Sequence, residues 1–457
     1  STRSAGKALA YILLIIGLPL IGIIIYFSIG VNFRKRKLYK KKLTITQEKA
    51  IELQQKLRQY LKNVIESQAG KMQNFFKLAQ NNRFEFMLSA NNAAELLING
   101  EQKFPSLLQD LQLARKHIHL EYYIYEVDKI GNEIAEILVK KAKEGVIVRF
   151  IYDDFGSLGI NKNFIRKLRE AGVEIVPFYH IRWLLFANRI NFRNHRKIVV
   201  IDGKTAYVGG INVSDKYINN GEEKLFWRDT HVRIKGFAVL VLQYIFLTDW
   251  NFCANQNIPF STGYFPLNEI DNFENGQMVQ VVSSGPDSDY QNIMYAMMQA
   301  VMLSQREVLI TTPYFMPDTS FIDALKIASL SGVRIKILVP DIADSKLVNT
   351  ISKSYYEELL EAGIEIYKYQ KGFVHAKTMI CDEAVSFVGT ANLDQRSFDL
   401  NFEVHAIIYD EAHAKQHAQF FYKDLEDSKK ITLEEWRKRS AITIFIEKAA
   451  RLISPLM

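Results

Sequence analysis

"NHRKIVVIDGKTAYVGGIN" occupies Asn194 to Asn212, and "VHAKTMICDEAVSFVGTAN" occupies Val374 to Asn392. The two stretches repeat one arrangement of polar residues 180 positions apart. It is His-x-Lys-x4-Asp, first as His195, Lys197 and Asp202, then as His375, Lys377 and Asp382. Each copy also places a Gly 14 residues after the His (Gly209, Gly389) and an Asn 17 after it (Asn212, Asn392). A single such octet in a basic chain is ordinarily accidental. Two octets with matched Gly, Asn and flanks indicate duplication.

The flanks extend the repeat. "ELLINGEQKFPSLLQDLQLARKHIHLEYYIY" (Glu95 to Tyr125) parallels "VQVVSSGPDSDYQNIMYAMMQAVMLSQREVLITTPYF" (Val279 to Phe315), each reading as strand, turn, helix and a strand ending in aromatics. "EIAEILVKKAKEGVIVRFIYDD" and "FIDALKIASLSGVRIKILVPD" then read as a helix, a Gly and an apolar β-rich run, and "AGVEIVPF" and "AGIEIYKY" mark a further strand in each half. Helices alternating with apolar strands predict α/β units with a mostly parallel sheet. The halves fall at residues 86–265 and 266–430, facing each other across a pseudo-two-fold axis. Each then contributes one set of polar residues to a single shared site.

That set suits phosphate. On a strand, His195 and Lys197 project from the same face because side chains alternate. Asp202, beside Gly203 at the strand end, suits a turn in which a carboxylate accepts backbone N–H groups. Gly209 admits a close backbone approach and Asn212 offers an amide donor. Doubled, these residues supply two imidazoles, two ammonium groups (Lys197, Lys377) and two amides (Asn212, Asn392) around one centre. One imidazole attacks phosphorus and the other carries the proton of the leaving group, while the lysines and asparagines hold the non-bridging oxygens. A carboxylate is expected to orient each imidazole: Asp229 in "FWRDTHV" for His195, and Glu403 in "NFEVHAI" for His375. Such neighbours favour the charged form and are expected to raise the histidine pKa values. Glu121, Tyr123, Thr311, Tyr314 and Phe315 are expected to line the site from strand ends.

Composition narrows the chemistry. The two cysteines, Cys253 and Cys381, sit in no metal-ligand spacing, and no glycine loop of a nucleotide-binding type occurs. Neither a metal nor a nucleotide cofactor is called for. A +8 net charge suits anionic partners without choosing among them.

Lipid is favoured by the N-terminal end. Residues 8–30, "ALAYILLIIGLPLIGIIIYFSIG", carry no charge over 23 positions, enough for a helix to span a hydrocarbon layer of ~30 Å. "VNFRKRKLYKKK" follows, so the positive-inside rule keeps the body in the cytoplasm. Those basic residues also attract anionic headgroups. Residues 31–85 read as this basic segment plus a juxtamembrane helix with Leu53, Leu57, Leu61, Val64 and Ile65 on one face. "YHIRWLLFANRINFR" (Tyr179 to Arg193) offers Trp183, Leu184, Leu185 and Phe186 to a bilayer and Arg182, Arg189 and Arg193 to phosphates, or else is a buried loop. Residues 431–457 end in an amphipathic helix whose apolar face (Ile442, Phe445, Ile446, Leu452, Ile453) suits either a membrane interface or the protein body.

With these motifs in view, the chain resembles the phospholipase D superfamily, and within it the bacterial cardiolipin synthases. The resemblance covers nearly the whole chain and includes "HIHLEYYIY", "NHRKIVVIDG", "GGINVSD", "WRDTHVRIKG", "SSGPD", "TPYFMPD", "VHAKTMICD", "GTANLDQRSF" and "NFEVHA". It implies two phospholipase D-like halves, transfer of a phosphatidyl group between two phosphatidylglycerol molecules with release of glycerol, and a phosphohistidine intermediate without a metal. By that analogy His195 is the nucleophile. One departure is Gly389-Thr390 where the first copy has Gly209-Gly210. A hydrolytic phospholipase or a phosphatidylserine synthase uses the same residues. A nuclease or a non-catalytic scaffold fits less well, given the anchor and the intact motifs.

Overall fold

The duplicated stretches build one 15-stranded sheet in the computed structural model, which describes residues 12, 15–20, 22, 23, 86–178, 192–221, 225–259, 263–452 and 454. The first half supplies β1 (Phe86–Ile98), β2 (His117–Tyr122), β3 (Ile147–Tyr152), β4 (Glu174–Pro177), β5 (Ile198–Ile201), β6 (Thr205–Gly209) and β7 (Thr230–Lys235). The second supplies β8 (Gln277–Ser284), β9 (Glu307–Thr311), β10 (Arg334–Pro340), β11 (Glu365–Tyr369), β12 (Thr378–Cys381), β13 (Val385–Gly389) and β14 (Glu403–Tyr409), with β15 (Ser428–Ile431) added at its edge. The order is β15-β11-β10-β9-β12-β13-β14-β8-β1-β7-β6-β5-β2-β3-β4. Apart from β15 it reads alike from both ends, and β1 and β8 meet antiparallel at its centre.

The sheet is not mostly parallel. Only β2-β3-β4 and β9-β10-β11 run parallel, and the other neighbouring pairs are antiparallel. The cause lies inside the repeated motif. Asp202 and Gly203 both have positive φ, as do Asp382 and Glu383, so each motif closes a tight hairpin, β5-β6 or β12-β13. Residues with positive φ at both central positions give the turn whose twist matches that of the flanking strands.

The halves share a core. Val200, Val208, Val232 and Ile234 from the first half pack in one cluster with Val281, Val388, Val404 and Ile408 from the second. The helix Ala238–Ala254 covers that cluster; it is apolar around most of its circumference and accordingly buried. Helices α1 (Asn99–Leu113), α2 (Thr319–Leu330) and α3 (Lys346–Lys353) lie outside it, and α4 (Ala441–Arg451) ends the described chain. Of the expected membrane span at 8–30 only residues 12, 15–20, 22 and 23 are described, and the segment at 31–85 lies outside the described residues, as does the Tyr179–Arg193 stretch except for its last two residues. Among the described residues no helix is long and apolar enough to cross a membrane.

Candidate functional site

His195 and His375 each sit in extended chain just before a strand, rather than within it. What places them is a contact between halves. Gly372–Val374 pairs in parallel with Phe226–Arg228, and the His375 N–H donates to the Arg228 carbonyl at 2.7 Å. In the mirrored contact Asn194 bridges to Phe402, and the His195 N–H donates to the Phe402 carbonyl at 3.0 Å. Each histidine therefore lies beside the residue that precedes the other half's carboxylate.

The carboxylates follow that crossing. His195 Nδ1 lies 3.0 Å from Glu403 Oε2, and His375 Nδ1 lies 2.7 Å from Asp229 Oδ2. The expected pairing within each half, Asp229 with His195 and Glu403 with His375, is reversed. Both carboxylates do orient a histidine, but each serves the other half's. Because Nδ1 is engaged in both rings, Nε2 is the nitrogen left for chemistry.

The two pairs are unequal. Glu403 also accepts from the Thr390 hydroxyl at 2.5 Å and from Asn401 Nδ2 at 3.2 Å. Asp229 accepts from the Thr230 N–H at 2.7 Å. No threonine is possible at the position matching Thr390, because a Cβ on Gly210 falls 2.0 Å from Asp229 Oδ1. The Gly-Gly to Gly-Thr departure is thus a difference between the two carboxylate environments. Burial pushes Asp229 up to about 6. Burial acts in the same sense on Glu403, but His195, Lys197 and the Thr390 hydroxyl outweigh it and hold Glu403 below its ordinary value.

Burial also dominates the cations. It pulls His195 down to about 4 against the attraction of Glu403, and with Lys377 and Lys197 it holds His375 well below its ordinary value. The expected rise from a carboxylate neighbour does not occur, since desolvating the imidazolium costs more than one carboxylate returns. Lys197 is lowered to about 7 and Lys377 to about 8, again by burial first. Each ammonium donates to the carbonyl of its own histidine, Lys197 to His195 at 2.7 Å and Lys377 to His375 at 2.5 Å.

The motif aspartates stand elsewhere. Asp202 lies just past the far end of β5, roughly 23 Å along an extended chain from His195. Its carboxylate accepts from the N–H groups of Arg115, Lys116 and His117 at 2.7–2.9 Å. Asp382 does the same for Gln305, Arg306 and Glu307 at 2.8–2.9 Å. They therefore hold the turn role expected of Asp202 and stand apart from the reacting residues, tying the hairpin turn to the start of β2 or β9. Asn212 is likewise occupied, accepting from the Ile124 N–H at 3.2 Å and donating to the Tyr217 hydroxyl at 2.8 Å. Asn392 bonds with Asp394. These amides brace the walls of the site.

Aromatic rings form those walls. Tyr123 meets the His195 ring edge-on at 4.8 Å, as a lining residue should. Trp227 and Tyr217 meet His375 at 5.8 and 6.0 Å. Glu121 instead turns away to accept from Asn194. Tyr314 donates to Asp344, whose charge reaches Lys377. Two residues that the sequence reading passed over are His231 and His405, each two positions beyond an orienting carboxylate. His231 Nδ1 accepts from the Ile211 N–H at 3.4 Å and His405 Nε2 from the Ala391 N–H at 3.1 Å, fixing the turn after each motif glycine. Their matched register, Asp229-x-His231 and Glu403-x-His405, was the available signal.

A family model described as "Cardiolipin synthase, PLD-like domain" matches residues 107–238 and 297–425. The chain is 40% identical to a cardiolipin synthase of Halalkalibacterium halodurans over 458 aligned residues, covering all of this chain and 90% of that protein. It is 38% identical to the major cardiolipin synthase of Bacillus subtilis, covering all of this chain and 94% of that protein. Among solved structures, the phosphatidylserine synthase of Haemophilus influenzae superposes with a TM-score of 0.63 at 16% identity, over 83% of this chain and 99% of that one. That likeness speaks to the fold alone.

Proposed function

The chain belongs to the cardiolipin synthase family with phospholipase D-like domains, and we propose that it works through a phosphohistidine on His195 with His375 carrying the proton. The activity is that of a phosphatidyltransferase: two phosphatidylglycerol molecules give cardiolipin and glycerol. What supports this division of labour is the unequal, crossed carboxylate pairing. Glu403, held ionised by Lys197 and the Thr390 hydroxyl, accepts the Nδ1 proton of a neutral His195 and leaves the Nε2 lone pair free to attack. Asp229, nearer to protonation, makes its pair with His375 the one that more readily keeps a proton, as a coupled unit.

The atoms balance as follows. His195 Nε2 attacks the phosphorus of the first phosphatidylglycerol, and the P–O bond to its glycerol headgroup breaks. His375 gives its Nε2 proton to that oxygen, and glycerol leaves. A hydroxyl of the second lipid's glycerol headgroup then attacks the phosphohistidine and passes its proton to His375. The P–N bond breaks and cardiolipin departs. Lys197 and Lys377, where protonated, offset the charge on the non-bridging oxygens in a dry site, where such offsets are strongest.

The apolar run at 8–30 and the basic cluster after it support an anchor in an anionic membrane with the body on the cytoplasmic side. Purified protein given phosphatidylglycerol alone should yield cardiolipin and glycerol in equal amounts by mass spectrometry. Phosphatidic acid as the sole lipid product would overturn the synthase reading in favour of hydrolysis.

A further inference from the structure

The terminal helix α4 is packed the wrong way round for a helix that belongs to a water-soluble body. It rests on α3, and it turns Glu447 and Arg451 inward beside the half-buried Ile444 and Ala450. Glu447 is buried and paired with Arg439, while Arg451 pairs with Glu358 at 2.7 Å and lies 4.1 Å from the Tyr355 ring. The Ser440 hydroxyl caps its start by accepting from the Thr443 N–H at 3.2 Å. Its outward residues are apolar: Ile442 and Phe445 are each 72% exposed, Leu452 is 63% exposed and Ile446 more than half. The helix's acid is turned in, and Lys448 is left outside. An amphipathic helix held by its polar side presents its other side to something apolar.

Exposed apolar residues also flank the reacting histidines, once in each half. After β3, Asp153 accepts from the N–H groups of Phe155, Gly156 and Asn194, which ties that loop to the residue before His195. Its tip carries Phe155 and Leu158, the latter 80% exposed. After β10, the corresponding loop holds Asp344 against Tyr314 and leads into α3, with Ile342 and Leu347 exposed. Lys162 and Lys346 stand beside these tips, exposed. The second loop and α4 are continuous through α3. Contact with α3 thus links the terminal helix to the loop tip beside the site, and the two tips and α4 together expose an apolar, lysine-bearing surface.

We propose that this surface seats in an anionic lipid bilayer, with the paired loop tips set around the site mouth and α4 lying in the interface. The proposal rests on the lipid substrate of the preceding section. It adds that the body, and not only an N-terminal segment, meets the membrane and receives the lipid headgroup where the chain enters the bilayer. A bilayer fits better than a second copy because the apolar residues occur at both loop tips beside the site, through which every substrate must come. Exposed Lys162, Lys346 and Lys448 stand among them to meet anionic headgroups, and the exposed acid at the second tip, Asp344, is engaged by the Tyr314 hydroxyl.

The test uses the full chain in phosphatidylglycerol vesicles, with Cys253 replaced by Ser and Cys381 left in the core. Nitroxide labels go on L158C, F445C and L452C. Others go on L113C and L330C, equally exposed leucines that end α1 and α2 at the opposite ends of the strands. The expected result is that oxygen relaxes the first three labels and a water-soluble nickel complex does not, with the reverse at Leu113 and Leu330. Nickel access at Phe445 equal to that at Leu330 would overturn the proposal. So would exclusion of both reagents with spin–spin broadening that vanishes on dilution with unlabelled chain, which would make the surface a contact between copies. F445E combined with I446E should lower turnover on vesicles at least ~10-fold and leave turnover in detergent micelles within about twofold. Equal loss in both would overturn it as well. Seated labels without cardiolipin formation would support the surface while removing the reaction, so the two readings fail separately.

Discussion

Replacing Glu403 by Gln and Asp229 by Asn in turn should damage different chemical steps, and the crossed pairing says which. Glu403→Gln weakens the partner of His195, the proposed attacking group. Asp229→Asn weakens the partner of His375, the proposed proton carrier. A hydrogen bond to a charged group contributes ~1.5–3 kcal/mol. At about 1.4 kcal/mol per decade, each variant should lose roughly 10- to 150-fold in kcat on phosphatidylglycerol. The distances, 3.0 Å at His195 and 2.7 Å at His375, place both bonds within the ordinary range for such pairs. The natural substrate does not separate the two variants, because attack and leaving-group protonation both limit its first step. A phosphatidyl ester of 4-nitrophenol does, since its phenolate leaves without a proton. On that ester Asp229→Asn should recover to within about threefold of the parent enzyme, and Glu403→Gln should remain at least ~10-fold down. Phenolate release followed by stopped-flow absorbance reads this directly. Rescue of Glu403→Gln with continued failure of Asp229→Asn would refute the assignment of His195 as nucleophile. Failure of both on the activated ester would refute a separate proton-carrying role for the Asp229–His375 pair.

The pH profile of kcat/KM should have its acid limb near about 4, where His195 gains a proton and loses its lone pair. As pH rises through about 6 the Asp229–His375 pair loses its proton, and the lysine charges, present below about 7 to 8, are lost next, so the alkaline limb should begin near 6 and steepen at 7 to 8. Lys197→Arg, which keeps its charge, should move the alkaline limb upward, and an unmoved limb would exclude Lys197 from it. Gly210→Ala should be almost inactive and less stable, because its Cβ meets Asp229 Oδ1 at 2.0 Å, whereas Thr390→Ser should keep near-parent turnover and Thr390→Val should lose roughly 10-fold. Steady-state turnover and thermal melts distinguish these outcomes. Asp202→Asn should lower stability by about 1–3 kcal/mol through weakened acceptance of three N–H groups, with kcat of the folded fraction within about twofold. A kcat loss of 100-fold without a change in melting would instead return Asp202 to the reaction.

The duplicated motif made much of this molecule legible in the sequence, because duplication reveals itself by spacing alone. His195, Lys197, His375 and Lys377 stand together as the repeat implied, and Asp229 and Glu403 are the orienting acids. The partner of each acid was not legible. It depends on Phe226–Arg228 lying beside Gly372–Val374, a contact between halves that no period within either half encodes. The antiparallel majority of the sheet was encoded, in Asp202-Gly203, which was read as a strand end without its hairpin consequence. The lowered histidine values escaped for a different reason. Local sequence identifies a carboxylate neighbour, but it does not report how much water the fold removes from both partners. The lone threonine in the second motif is a departure that spacing leaves unexplained, and only the space beside Asp229 explains why its counterpart is glycine.

The crossing also bears on how the protein is made. Synthesis proceeds from the N-terminus, so His195 and its lysine leave the ribosome 208 residues ahead of Glu403. Throughout that interval the nucleophile has no carboxylate to hold its ring, and His375, once made, can dock against Asp229 only when the second half folds onto the first. A chain broken off before Glu403 lacks both that acid and the strand β14 that carries it to the centre of the sheet. A polypeptide that handles the phosphodiesters of its own host membrane thus becomes reactive only when the second half has folded onto the first.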